Sequence, residues 1–239
     1  MDFDLPLISR HKASQKNLSD IFSPLNHFVD HSITKRHISS QIDLELGFNI
    51  KQTEEILQSK AKKLLPESQF DQWGPVLHGG AQTWIGLDFQ ILQTSYHDLK
   101  AMFEIIKPKA GERVIDLGAG YGRIGVFLHH FYPRSEFLGI EIVKERVDEG
   151  NRLLRTLGCH DKKLAAIDLD KMGELPEGDI FFIYDFGSVT HIKKVLEMLK
   201  HTPRRLLVVK GQIARQIMLK DEEYGEGLKV KKLEDVYIY

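Results

Sequence analysis

The chain has 239 residues, 42% of them hydrophobic and 28% charged, with a formal net charge of -1. That balance describes an ordinary globular protein and argues against a strongly basic nucleic-acid binder, although a local basic patch can survive inside a neutral total. The only cysteine is Cys159, which excludes an internal disulfide framework and a cysteine-rich zinc site.

The start, MDFDLPLISRHKAS, is acidic at once and lacks the basic region and apolar run of a signal peptide. No apolar stretch approaches the roughly twenty residues of a membrane span, so no membrane partner and a cytoplasmic location are expected. The first forty residues are weakly patterned and read as a loose arm or a set of short helices. A helix is predicted next, with Thr53 as its N-cap, Ile56, Leu57, Lys60 and Leu64 at helical spacing, and Pro66 closing it. The turn-rich loop QWGPVLHGGAQTWIGLDFQ holds both tryptophans, Trp73 and Trp84. One long helix is predicted after it, because Phe89, Leu92, Tyr96, Leu99, Phe103 and Ile106 follow at steps of 3, 4, 3, 4 and 3. Pro108 stops it.

From here strands and helices alternate. RVIDLG, EFLGIEI, KLAAIDLDK, GDIFFIYDF and RRLLVVKGQ read as strands, separated by helices such as GRIGVFLHHFY and KERVDEGNRLLRTLG. A helix over IARQIMLKDEEYG and one or two strands in LKVKKLEDVYIY end the chain. This alternation predicts an α/β fold: a Rossmann-like, mostly parallel sheet covered on both faces. The expected division is a helical and loop extension over residues 1–87 and a ligand-binding domain over residues 88–239.

The most informative stretch is VIDLGAGYGRIG, Val114 to Gly125. Gly120, Gly122 and Gly125 spell a literal G-x-G-x-x-G, the signature of a dinucleotide site, and an NAD-dependent oxidoreductase is one reading. The register disagrees. Gly118 already marks the strand's end, and Asp116 would bring a carboxylate to the place a pyrophosphate needs, where like charges repel. A carboxylate there suits a ligand bearing a cation, such as the amino group or sulfonium of S-adenosyl-L-methionine. Glu141, ending the second strand, can accept hydrogen bonds from ribose hydroxyls of either cofactor.

VIDLGAGYGRIG resembles the first motif of class I S-adenosylmethionine-dependent methyltransferases, and KKLEDVYIY resembles that family's closing strands, where a seventh strand inserts antiparallel. The resemblance covers Phe89 to Tyr239 and implies a seven-stranded class I methyltransferase sheet. Asp116 would then hold the donor's amino group, with Gly118, Ala119, Gly120, Tyr121 and Gly122 lining the glycine loop. Glu141 would hold the ribose, Asp168 would face the adenine, and Thr94 would lie near the donor's carboxylate. Asp185 would sit beside the transferred methyl group, able to orient or deprotonate an acceptor, with Tyr184 or His191 assisting. His78 and Trp84 would line the acceptor pocket.

Bland readings stand beside several of these. Tyr121 reads equally as a partly exposed aromatic, Asp168 or Asp170 as a turn cap, Asp185 as a cap for the helix beginning near His191, and Arg123 as a surface or second-layer residue. No metal site is evident. YDFGS shares only its leading acid with the family's amino-methylating motif, so the acceptor stays open among protein side chain, RNA and small molecule. A catalytically inactive methyltransferase-like binding subunit is a further alternative. Lys229, Lys231 and Lys232 alternate as a nucleic-acid groove would require, with little support elsewhere.

Overall fold

The computed structural model describes residues 17–29, 31–224, 227–229, 233 and 236–239. Residues 1–16, and with them the start of the weakly patterned arm, lie outside the described residues, as do Lys231 and Lys232. Among the described residues six α-helices precede the sheet: α1 (Leu18–Ile21), α2 (Ser32–Leu46), α3 (Ile50–Lys62), α4 (Trp73–Leu77), α5 (Phe89–Leu92) and α6 (Tyr96–Ile106).

Two predicted boundaries shift. α3 starts before Thr53, whose hydroxyl donates back to the Asn49 carbonyl at 3.1 Å from inside the first turn. Gly47, at φ 87°, ends α2 in the left-handed conformation, and Phe48 and Ile50 bury immediately afterwards, so the new helix is anchored earlier than its polar pattern suggests. The long helix expected over 89–106 is two helices. Gln93 is extended, and the Ser95 hydroxyl caps α6 by accepting from the Asp98 amide at 3.1 Å. The Arg123 guanidinium takes the Thr94 carbonyl at 2.9 Å, so that oxygen is satisfied without a continuing helix. Only the later stripe, Tyr96, Leu99, Phe103 and Ile106, buries as one face.

The remaining elements alternate as predicted: β1 (Arg113–Leu117), α7 (Arg123–Phe131), β2 (Glu136–Glu141), α8 (Lys144–Thr156), β3 (Lys162–Ala166), β4 (Ile180–Tyr184), α9 (Val189–Lys200), β5 (Leu206–Lys210), α10 (Gln212–Met218), β6 (Leu228–Lys229) and β7 (Val236–Ile238). The sheet orders its strands β3-β2-β1-β4-β5-β7-β6. β1 through β5 pair in parallel, and β7 runs antiparallel to both β5 and β6. This is a Rossmann-like mixed sheet, mostly parallel, preceded by helices. β3 ends at Ala166 rather than running on to Lys171, because Asp168 caps a 3-10 turn over Leu169–Lys171.

Each central strand is buried on both faces, which is why its sequence is nearly all apolar. Val114, Phe182 and Val208 pack toward α6 and α7 with Phe103 and Phe127, while Ile115, Ile183 and Val209 pack toward Ile192 and Val195 of α9. The first core also contains Ile42, Phe48 and Ile50, so the preceding helices share it with the sheet. Two buried ion pairs tie them further. Arg123, placed by its sequence on the surface or in a second layer, is buried and pairs with Asp43 of α2. Arg146 of α8 pairs with Glu54 of α3 at 2.8 Å. Among the described residues no helix is long and apolar enough to cross a membrane.

Candidate functional site

The order reversal of the sheet lies between β1 and β4, where ligands of open α/β sheets sit beyond the carboxyl ends. A cavity of about 440 Å³ opens there, lined by Gly118, Gly120, Glu141, Asp168, Tyr184 and Asp185 and roofed by Gln82, Thr83 and Trp84. Its volume is that of a small-molecule site.

The turn after β1 explains its glycines. Gly118 has φ 90°, and a Cβ there would meet Cβ of Phe186 at 2.9 Å, so no other residue fits. Its amide and that of Ala119 both donate to the Ile140 carbonyl at 2.9 Å. The Gly120 amide donates to Oε2 of Glu141 at 2.9 Å, and the Gly122 amide to the Ala119 carbonyl at 2.9 Å. The turn is therefore bonded to itself and to β2, not presented as a cradle of free amides. Glu141 is buried, and its other oxygen, Oε1, accepts from the Val143 amide at 2.9 Å. Two of a carboxylate's roughly four acceptor positions remain, facing the cavity.

Asp116 is buried behind the turn, beside a side chamber of about 40 Å³ that Thr94, Ala119, Tyr184 and Lys210 also line. Burial first and the negative charge of Glu141 second push its carboxyl up to about 7. Such a group gains most from a cation placed against it.

Several sequence expectations are corrected. Tyr121 does not cover the cavity: its ring is buried between Phe48 and Phe89, and its hydroxyl donates to Oε1 of Glu54 at 2.8 Å. Gly122 does not line the cavity either. It starts α7 at φ 75°, where a Cβ would meet the Leu164 side chain at 2.7 Å. His78 lies outside the cavity lining, with Nδ1 at 3.0 Å from the Thr83 hydroxyl and burial lowering its pKa. Asp185 does line the cavity, but its two oxygens accept from the Ile213 and Ala214 amides at 2.9 and 3.0 Å. It caps α10, not the helix near His191, whose cap is Ser188. Asp168 lines the cavity while accepting from the Asp170 amide at 3.0 Å, so its turn-cap reading also holds. His191 lines it too, with Nε2 at 2.6 Å from Oδ2 of Asp170. Trp84 lines it at φ 54°, a strained conformation for a bulky residue.

Sequence reasoning missed three residues. Gln93 borders all three cavities, with its side-chain amide lying directly against Gly120. Arg146 lines the main cavity and donates to the Thr83 carbonyl at 3.0 Å, fixing the roof loop. Lys210 ends β5 next to Tyr184. Its signal was available: like Glu141, it is a charged residue ending an apolar strand.

No protein-family model matches the chain, and no curated protein matches it in sequence. Solved structures do match. An RNA methyltransferase from Salinibacter ruber in complex with S-adenosyl-L-homocysteine is 18% identical, with 62% of this chain and 90% of that one covered and a TM-score of 0.48. The precorrin-6y C5,15-methyltransferase of Geobacter metallireducens is 14% identical over 55% of this chain and 71% of its own, at a TM-score of 0.46. The YcgJ protein of Bacillus subtilis is 19% identical over 48% of this chain, at a TM-score of 0.40, and the match spans only 50% of its length. A dinucleotide-binding Rossmann sheet runs 3-2-1-4-5-6. Here an antiparallel β7 enters between β5 and β6, so the strand order departs from that arrangement.

Proposed function

We propose that the chain is an S-adenosylmethionine-dependent methyltransferase built on a seven-stranded class I sheet. Residues 88–239 hold the donor, and the described part of residues 1–87 is a helical and loop extension beside it. One observation carries the reading. The amides of the glycine turn are spent on Ile140, Glu141 and Ala119, and carboxylates flank the turn. A pyrophosphate would find these turn amides engaged, and Arg146 of the wall already paired with Glu54, which counts against a nicotinamide cofactor. A ligand with a ribose diol and an ammonium group meets acceptors at both ends.

The residues present fit that donor. The free acceptor positions of Glu141 suit the ribose hydroxyls, and Asp168 stands at the adenine end of the same wall. Asp116, once it has lost its proton, suits the ammonium group, with Thr94 near the neighbouring carboxylate. Bound there, the donor would supply a methyl group on a sulfonium: an acceptor's lone pair bonds to the methyl carbon as the carbon–sulfur bond breaks and its electron pair stays on sulfur. The chain's part is mainly positioning. Tyr184 and Gln93 border the space where the acceptor would approach. Asp185 holds the first turn of α10 in place through one amide on each oxygen, and the acceptor positions that remain border the cavity, where they suit orienting an acceptor. His191 and Trp84 complete the wall and roof.

Calorimetry with S-adenosylhomocysteine and, separately, NAD tests the reading. Binding of the first at millimolar affinity or tighter is expected, without binding of the second. NAD binding without S-adenosylhomocysteine binding would overturn it. Methyl transfer from labelled donor to a fractionated extract would then separate an active enzyme from an inactive binding subunit.

A further inference from the structure

A second cavity, of about 850 Å³, adjoins the first, and Tyr184, Gln93 and Gly211 line both. β4 and β5 pair so that Tyr184 stands opposite Lys210, whose Nζ lies 4.8 Å from the centre of the Tyr184 ring. Whatever occupies the second cavity beside Tyr184 is therefore next to the first. Its walls are cationic. Lys35, Arg36, Lys100, Lys210 and Lys229 contribute, against the carboxylates of Asp98 and Glu104.

Among the described residues the local pairing leaves positive charge uncompensated. Asp98 serves two ammonium groups, Lys35 at 3.1 Å and Lys210 at 3.9 Å, and the second distance is too long for a hydrogen bond. The hydroxyl of Thr94 stands 3.5 Å from the Lys210 ammonium, at the edge of bonding range. Lys100 donates to the neutral Leu25 carbonyl at 2.9 Å, which satisfies a proton but not a charge. Burial, then the neighbouring Arg123, Arg36 and Lys35, lower the pKa of Lys210, with Asp98 acting against them. A largely buried ammonium with half a counter-ion is costly, and an anion placed against it recovers that cost.

We propose that this cavity is the acceptor site and takes a small acceptor bearing a carboxylate or phosphate group, which Lys210 binds. The assignment rests on the donor reading of the adjoining cavity. Carboxylate and phosphate share the chemistry that recognises them here. The volume is that of a small-molecule pocket, and a concave pocket does not offer the extended track that a nucleic-acid backbone follows.

The test is calorimetry on the full chain with saturating S-adenosylhomocysteine, using malonate and inorganic phosphate as probes, for the wild type, Lys210→Met and Lys210→Arg. At least one probe is expected to bind the wild type at millimolar affinity, and the stronger probe identifies the source as carboxylate or phosphate. Lys210→Met should weaken it about tenfold or more and Lys210→Arg should retain it. Retention in the arginine variant, with a cooperative unfolding transition in the methionine variant, rules out misfolding as the cause. No anion binding to the wild type, or equal binding to Lys210→Met, would overturn the assignment. So would a loss of S-adenosylhomocysteine affinity in Lys210→Met with anion binding intact, since Lys210 would then serve the donor's carboxylate. A short single-stranded RNA binding more tightly than either probe would replace the small acceptor with a nucleic acid. Absence of S-adenosylhomocysteine binding, with the anion results as expected in its absence, would sink the donor reading and leave an anion site standing.

Discussion

The two cavities meet at Tyr184 and Gln93 but differ in charge. One is walled by Glu141, Asp168 and Asp170, the other by Lys35, Lys100 and Lys210. The change of sign follows the sheet: β2 ends in the carboxyl side chain of Glu141 and β1 carries Asp116 one residue before its end, whereas β5 ends in Lys210. Parallel strands deliver their last side chains to one edge, so the choice of a single residue per strand sets the polarity across that edge. The glycine turn makes room on the acidic side, and helices from the first half of the chain close the basic side.

The largest expected effect tests whether those helices are fixed in place. Arg123 binds Asp43, with Nε at 3.3 Å from Oδ1, and also reaches Oε1 of Gln90 at 3.0 Å. Arg123→Met leaves a buried carboxylate without its cation and should cost about 3–5 kcal/mol in denaturant unfolding. Adding Asp43→Leu should recover much of that loss. A cost below about 1 kcal/mol would mean that the pair does not hold the extension to the sheet.

Next comes the acidic cavity itself. Glu141→Gln keeps one acceptor oxygen but surrenders the charge and one of the bonds to the Gly120 and Val143 amides. Hydrogen bonds to a charged group contribute about 1.5–3 kcal/mol, so S-adenosylhomocysteine affinity should fall by at least about tenfold. The same substitution should leave malonate or phosphate binding in the basic cavity unchanged. An equal loss at both would show that the two cavities are not separate in function.

This contrast also marks what was legible in the chain. Glu141 closes an apolar strand and Asp116 stands one residue before the end of another, and a local pattern of that kind predicts a carboxylate at a strand's end without knowledge of the fold. Lys210 closes β5 in the same way, and its meaning depended on Asp98, Lys35 and Tyr184, which only the folded sheet brings near it. Asp185's hold on α10 could not be read locally, because its partners, the amides of Ile213 and Ala214, come 28 and 29 residues later. Apolar periodicity located the stripe over 89–106 but not its break, since the Ser95 cap and the Arg123 bond to Thr94 override a continuous pattern.

The third expected effect concerns pH. With its carboxyl at about 7, Asp116 is mostly protonated at pH 6 and mostly ionised at pH 8. An ammonium group favours the ionised form, so below pH 7 binding releases a proton and affinity rises with pH, levelling above it. The rise in S-adenosylhomocysteine affinity from pH 6 to 8 should be roughly tenfold, or about 1.4 kcal/mol. Stability of the free protein runs the other way. Between about pH 4 and 7 the unfolded chain has released a proton that folded Asp116 retains, so this group's contribution falls as pH rises. Asp116→Asn should flatten both dependences, and a flat binding profile in the wild type would remove Asp116 from the donor site.

The smallest effect separates the cavity from its supports. Tyr121 sits within the glycine turn, yet its hydroxyl bonds Glu54, which Arg146 also holds through Nε at 2.8 Å. Tyr121→Phe keeps the buried ring and removes one hydrogen bond, so about 1 kcal/mol of stability should be lost. Glu54 retains its bonds to Arg146, and Arg146 keeps the Thr83 carbonyl of the roof at 3.0 Å, so the cavity wall should not move. Unfolding and calorimetry on the same variant then give opposite answers under the two readings of this tyrosine. A packing anchor lowers stability and leaves S-adenosylhomocysteine affinity intact. A residue that covers the donor lowers affinity instead, and that result would place the ring in the cavity rather than against Phe48 and Phe89.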